Sequence, residues 1–504
     1  MKRHGYHWHM LACVALIAIS AFAFRRPAPP PESPAASGPQ VQATGETRTY
    51  ELTAAPVRWE LRPGFTTDAY AYNGQIPGPE IRLKRGDRVK VTLVNKLDEP
   101  TTIHWHGVRV PAGMDGVPYV SQDPVPPGGS FVYDFIVPDA GTFFYHSHVD
   151  TDDQVDRGLY GPFIVEPAEG AVPDAVVALD DWLLDASGKR LATKYTYQES
   201  ETDNLLDSVS EATRPPTGGA RHMMPNGMMM GGMQHEGMMD HGFAPEINGR
   251  YGDTLTANGK AGDAVAPITV PEGGTRLLRL INASNAMAHE LKADDGRLLE
   301  IVAVDGTPLA KPVRTGTLTL TPAKRFDVLL RDGDGKPWAL VEKRETGSLR
   351  IPVNVFGQAG AEPVFVSDAP APLDLSKRAP DAVVAVGTDR MMDPTTWTIN
   401  GVPFDMEDPG QPLARFSRGT WVKIRFMNGT PMSHQMHLHG MFMTVIARDG
   451  SPVGQAYRQD TVVVRPNESV DVAVLADNPG DWVLHCHNLE HEEHGLMTKI
   501  RVEE

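Results

Sequence analysis

Cysteine is almost absent, with Cys13 and Cys486 the only two in 504 residues. Cys13 lies in an apolar run from Met10 to Phe24 that follows Lys2 and Arg3, the layout of the h-region and n-region of an export signal. If that segment is removed, Cys486 has no partner in the chain. An intrachain disulfide is then excluded, and the thiol is either buried and inert or held by a metal. At about 15 residues the run is short for a membrane span, which needs ~20. Ala21-Phe22-Ala23 resembles a cleavage site, whereas Arg25-Arg26 directly after it also suits an uncleaved anchor. Residues 1–26 therefore read as a signal peptide or signal anchor and residues 27–44 as a Pro/Ala-rich spacer, placing the protein in the periplasm or cell envelope.

Excess positive charge is lacking too. A formal net charge of −17 argues against nucleic acid or an anionic lipid surface as partner and suits small or cationic ones. Membrane contact is expected only through an uncleaved N-terminal anchor, and a monomer is the expectation. Long helical periods are missing past residue 45. What is there instead is a series of short β-branched runs, such as Val89 to Val94, separated by Gly, Pro, Asn and Asp, which predicts an all-β chain of sandwiches.

The sandwiches repeat. Gly86 to Asn95, Gly274 to Asn282 and Gly419 to Asn428 are versions of one strand ending in Asn, each preceded by an Asn-Gly turn read as Asn73-Gly74, Asn248-Gly249 and Asn400-Gly401. A later strand recurs from Phe131, Arg325 and Ser469. Three similar domains are expected, at 45–167, 168–366 and 367–504, because order and spacing both repeat.

Ten of the eighteen histidines fall into four groups confined to the first and third repeats: His104-Trp-His106-Gly107, His146-Ser-His148, His434-Gln-Met-His437-Leu-His439, and His485-Cys486-His487 with His491. Side chains alternate along a strand, so in His-x-His both imidazoles face one way and the central residue the other. The Cys486 thiolate therefore faces one metal and its neighbours another. With His434 and His491 it offers one sulfur and two nitrogens, the trigonal set of a blue-copper centre. The other eight histidines make four His-x-His pairs able to surround a cluster between domains one and three; structural zinc sites are closed four-ligand sets and do not divide the eight naturally. Aligning the repeats puts Ser147 in place of the thiolate, Thr101 in place of His434 and Asp152 in place of His491, so domain one lacks the second centre. The middle repeat offers only His289, read as structural, and domain two as a spacer.

These residues resemble the four copper signatures of the multicopper oxidase family, over residues 45–504. The resemblance implies three consecutive cupredoxin-like Greek-key β-sandwich domains and four copper ions. It assigns Cys486, His434 and His491 to a type 1 copper, His104 and His437 to a type 2 copper, and His106, His146, His148, His439, His485 and His487 to a type 3 pair. It implies that a small-molecule reductant, phenolic or aromatic, or Cu(I), gives electrons singly at the type 1 site, and that dioxygen is reduced to water at the cluster. Asp115 and Glu492 match positions assigned to proton delivery. Many bacterial relatives carry an axial Met ten residues after the Cys; here Leu496 stands there, which should raise the potential, unless a backbone shift brings in Met497.

Residues 222–241 hold eight methionines, Met223, Met224, Met228, Met229, Met230, Met233, Met238 and Met239, among Gly, Asn and Asp. Thioethers suit Cu(I), and the tract is similar to the Met-rich inserts of copper-tolerance oxidases; a surface loop with no ligand role is the alternative. Two rival functions are an exported copper carrier without turnover and a copper nitrite reductase. A carrier has no use for a Cys-His bridge between sites, and the reductases resemble two-domain chains without all four signatures.

Overall fold

The computed structural model describes residues 45–168, 173–191, 249–344, 347–358, 373–389 and 396–504. The segment read as an export signal, the stretch read as a spacer and the methionine tract lie outside the described residues. Six sheets form three consecutive sandwiches, and no sheet mixes strands from two of them among the described residues. The fold is all-β in three sandwiches, as the repeats led us to expect, and cupredoxin-like, as the family resemblance implies.

Each sandwich is built on the same two strands that recur in the sequence. Arg88–Asn95, Thr275–Asn282 and Thr420–Asn428 pair antiparallel with Ser130–Ile136, Arg325–Arg331 and Ser469–Ala476. On its other edge each pairs in parallel with the opening strand of its sandwich, Thr47–Arg62, Asp174–Trp182 or Ala382–Thr388. In Arg88–Asn95 burial alternates residue by residue. Val89, Val91 and Leu93 face the core, while Arg88, Lys90 and Thr92 face outward, the period-two pattern of a sheet with one dry face.

The asparagine that ends this strand has a physical reason in every repeat. Asn95, Asn282 and Asn428 are buried, and each side-chain oxygen accepts the backbone N–H two residues on, from Leu97, Ser284 and Thr430. Each amide donates to carbonyls of the neighbouring loop and strand, for instance Asn282 Nδ2 to Met287 O and Leu320 O, both at 2.8 Å. This Asx turn fixes where the next strand starts: His104–His106, His289–Ala293 or His434–Leu438.

A second asparagine ties the Asn-Gly hairpin to the opening strand, and here the sequence reading is corrected. Asn73, Asn258 and Asn400 all have positive φ, and their side-chain oxygens accept from Thr53, Ala178 and Ala385 N. The turn of the middle sandwich is therefore Asn258-Gly259, ten residues after the Asn248-Gly249 expected; two such dipeptides occur close together and local pattern does not choose between them.

One apolar cluster contains residues of both outer sandwiches, including Trp105 and Val110 of the first and Leu438 and Trp482 of the third. The middle sandwich has its own core but reaches out with charged side chains: Arg279 donates to Thr142 Oγ1 at 2.8 Å, and Arg325 ion-pairs with Asp460. It is more than the spacer expected. We predict that Asn282→Ala, which strands two buried carbonyls, destabilises the middle sandwich by about 2 kcal/mol in denaturant titration.

Candidate metal centre

Strand register decides which imidazoles meet. The strands His434–Leu438 and Gly480–Cys486 run antiparallel, with Met436 opposite Cys486 and His437 opposite His485. In the first sandwich His104 stands opposite His146. Alternation sends Trp105 into the core, against Tyr133 at 5.3 Å and Phe135 at 5.2 Å, while His104 and His106 face the third sandwich.

Cys486, His434 and His491 converge with no solvent exposure. The thiol sulfur lies 3.7 Å from His434 Nδ1 and 3.6 Å from His491 Nδ1. His434 Nε2 lies 2.8 Å from Thr430 Oγ1; as the N–H donor there, it leaves the Nδ1 lone pair facing the sulfur. Burial pushes the thiol up to about 12 and His434 down to about 3. The Trp397 ring closes the group, with centroids 4.2 Å from His491 and 5.1 Å from His434. Leu496 shares the apolar cluster of Cys486, whereas Met497 packs elsewhere with Val117 and Val483.

The other eight histidines gather where the two outer sandwiches meet, none more than 2% exposed. Rings from the two sandwiches stack, His104 on His439 at 3.8 Å and His106 on His437 at 3.7 Å. His148 and His485 rings lie 5.3 Å apart, as do His146 and His487. Desolvation holds His106, His146, His437 and His439 well below the usual imidazole range, His148 at about 4 and His487 at about 3. Asp115 and Glu492 both reach the cluster. Asp115 O accepts from His104 Nδ1 at 2.9 Å and its Oδ2 from His439 Nδ1 at 2.8 Å. Glu492 Oε2 lies 3.0 Å from His485 Nδ1. Burial raises the Glu492 carboxyl, but His485 and His148 outweigh it and hold it at about 2.

Comparison with known proteins agrees with this arrangement. Residues 53–170, 228–351 and 378–504 each match the multicopper oxidase family. "Multicopper oxidase MmcO" of Mycobacterium tuberculosis is 31% identical over 478 residues, 91% of this chain and 87% of that protein. The chain belongs to the multicopper oxidase family. "Copper resistance protein A homolog" of Pseudomonas syringae pv. tomato is 26% identical, covering 90% of this chain and 92% of that one. A multi-copper oxidase structure from Pseudomonas thermotolerans superposes with a TM-score of 0.69 at 32% identity, covering 91% of this chain and 99% of that one. A multicopper oxidase is a copper enzyme that oxidises a reductant with dioxygen as acceptor.

The donor atoms of this multicopper oxidase fit copper. His104, His146 and His437 place Nδ1 against a backbone carbonyl, so Nδ1–H donates and Nε2 keeps its lone pair. Those three Nε2 atoms, together with His148 Nε2, His106 Nδ1 and both nitrogens of His487, are buried without a hydrogen-bond partner. Unsatisfied buried polar atoms cost ~1–3 kcal/mol each, and a soft to borderline cation removes that cost where water is excluded.

The three sandwiches fill the Cys486–His434 position differently. In the first, Thr101 and Ser147 oxygens are 3.2 Å apart, and both hydroxyls bond Gln154 Oε1, at 2.8 and 2.6 Å. Gln154 thus completes a polar trio; Asp152, at the aligned place of His491, is not part of it, since the short helix Thr151–Gln154 buries Thr151 and Gln154 instead. In the middle sandwich His289 Nδ1 lies 2.8 Å from Glu342 Oε2 and Nε2 meets Ser284 Oγ at 3.0 Å, in keeping with a structural His289.

Asp460, Thr461 and Arg325 also belong to the site and were not foreseen. Asp460 O accepts from His437 Nδ1 at 2.9 Å and Oδ1 lies 3.1 Å from His106 Nε2. The available signal was an Asp-Thr pair opening the Val-rich strand Thr461–Val464, which marks a buried acid. Histidines with lowered folded pKa favour the neutral form, so their stability contribution is complete above the unfolded value and lost as pH falls toward the folded one. We therefore predict that the melting temperature of copper-free protein drops as pH falls from about 6.5 toward 4, measured by calorimetry; a flat profile contradicts this.

Proposed function

We propose that this protein is an exported oxidase with one type 1 copper at Cys486, His434 and His491, one type 2 copper at His104 and His437, and a type 3 pair at His106, His146, His148, His439, His485 and His487. The observation that carries this reading is that the buried Cys486 thiol faces two imidazoles while the imidazoles of His485 and His487 face a separate eight-histidine cluster. Export rests on the N-terminal sequence, and a role in copper homeostasis on the copper resistance relatives.

Copper held there supplies one-electron chemistry at the thiolate group and dioxygen reduction at the cluster. The chain supplies the rest. Peptide bonds join Cys486 directly to His485 and His487, a short covalent route between the two groups. Burial keeps bulk water from both. Glu492 accepts from His485 and lies 3.2 Å from Thr151 Oγ1, which is also 3.2 Å from Oε2 of surface-exposed Glu493. This hydroxyl bridges a surface carboxylate to a buried one, and Glu492 and Asp115 are the carboxylates through which protons are relayed to the cluster. Substrates are phenols, aromatic amines or Cu(I), with the methionine tract recruiting Cu(I).

Oxygen uptake with a phenolic donor and with Cu(I) tests the reading: one dioxygen should disappear per four electrons, and Cys486→Ser should abolish both uptake and blue absorption. A copper-loaded wild type that consumes no oxygen refutes it. Leu496, packed beside Cys486, offers the copper no soft axial donor. Leu496→Met should therefore lower the type 1 potential in a voltammetric titration, and an unchanged or higher value counts against Leu496 as the axial residue.

A further inference from the structure

Asp115 and Asp460 grip the histidine cluster in the same way from opposite sides. Asp115 takes His104 of its own sandwich on its main-chain oxygen and His439 of the third sandwich on its carboxylate. Asp460 takes His437 of its own sandwich on its main-chain oxygen and His106 of the first on its carboxylate. Each aspartate therefore orients one imidazole at home and one across the interface.

The two differ in what holds the aspartate. Among the described residues no arginine or lysine ion-pairs with Asp115. Asp460 is clamped by Arg325, a residue of the middle sandwich, whose Nη1 donates to Oδ1 at 2.8 Å and whose Nη2 donates to Oδ2. Both side chains are essentially sealed from solvent, at 0% and 1% exposure. Arg325 is fixed in turn from two sides: Nη1 donates to Ala323 O at 3.0 Å and Nε to Thr142 O of the first sandwich at 3.1 Å. Asp305 Oδ1 lies 3.5 Å from Nη1, and Lys324 bonds both Asp305 and Gln459 at 2.7 Å. One guanidinium thus touches all three sandwiches. The approach is so close that a Cβ on Gly107, which follows the first His-x-His and has φ +81°, would collide with Asp460 Oδ2 and Arg325 Nη2.

Both Asp460 oxygens accept from the guanidinium, and Oδ1 also accepts from Thr461 Oγ1 at 2.9 Å, so the group facing His106 is a pure acceptor. The contact at 3.1 Å then requires Nε2 of His106 to carry the proton. Its Nδ1 keeps the lone pair, and Nδ1 is the atom buried without a partner. His106 presents Nδ1, where His104, His146 and His437 present Nε2.

We propose that Arg325, acting through Asp460, is a positioning residue that holds His106 in the Nδ1-ligating tautomer, so that the sandwich without copper ligands sets the ligand geometry of the cluster. The proposal rests on the assignment of His106 as a copper ligand. Arg325→Lys keeps the charge but loses the two-pronged grip, and Asp460→Asn keeps the shape but loses the charge. Two readouts are taken on each. Nitrogen-15 NMR of histidine-labelled, copper-free protein reports the His106 tautomer, which should be Nε2–H in the wild type and mixed in the variants. Competition with a chelator reports copper retention, which should fall about 10–100-fold at the cluster while the blue absorption at Cys486 is unchanged. Wild-type tautomer and retention in both variants overturn the proposal, as does an equal loss at the blue site and the cluster, which marks a general structural role. If wild-type protein bound no copper at all, the ligand assignment would fail instead, and the tautomer measurement would still decide the Arg325 effect.

Discussion

Imidazole and thiol groups are costly to remove from water without partners, and this protein buries ten imidazoles and one thiol in two adjoining sites. Everything around them answers that cost. The first and third sandwiches share one apolar cluster and bring four His-x-His pairs together, and neither sandwich alone could keep water from them. Carbonyls and carboxylates take one nitrogen of most rings, which leaves the other as a lone pair pointing inward. Copper bound there would take up what the protein leaves unsatisfied, so the fold and the metal chemistry of the family depend on the same buried atoms.

The three sandwiches show how little distinguishes a metal site from a structural one. All use the same Asx turn, at Asn95, Asn282 and Asn428, to set the start of the next strand. At the position that follows, the third sandwich places His434 near Cys486, the middle one His289 near Glu342, and the first Thr101 near Ser147. The first set bonds its hydroxyls on Gln154 and the middle one bonds His289 to Glu342, while the third leaves two imidazoles facing a thiol. Donors differ among the three sandwiches while the scaffold is the same, because scaffold and donors depend on different residues.

Most of the site was legible because it is local. His-x-His on a strand carries its own geometry, and Cys486, between two such histidines, points to two separate donor groups. The errors were of another kind. Asn248-Gly249 and Asn258-Gly259 offer the same turn chemistry, and pairing with the opening strand selects the second. Asp152 holds the aligned place of His491 as read, but that alignment does not reach Gln154, two residues on, which bonds the two hydroxyls. The Asp460-Thr461 pair is a weak local signal and Arg325 carries none, and a separation of 135 positions hides their contact.

Sequence alone determined which histidines and cysteine are grouped, the threefold repeat and the absence of a second thiolate group, because each depends on residue type and on spacings within one strand or turn. Tertiary structure decided which nitrogen of each ring is free, that Leu496 rather than Met497 lies beside Cys486, and that the middle sandwich grips the cluster. Those outcomes depend on which carbonyl, carboxylate or guanidinium arrives from a distant part of the chain, and close packing among three domains is what brings them there.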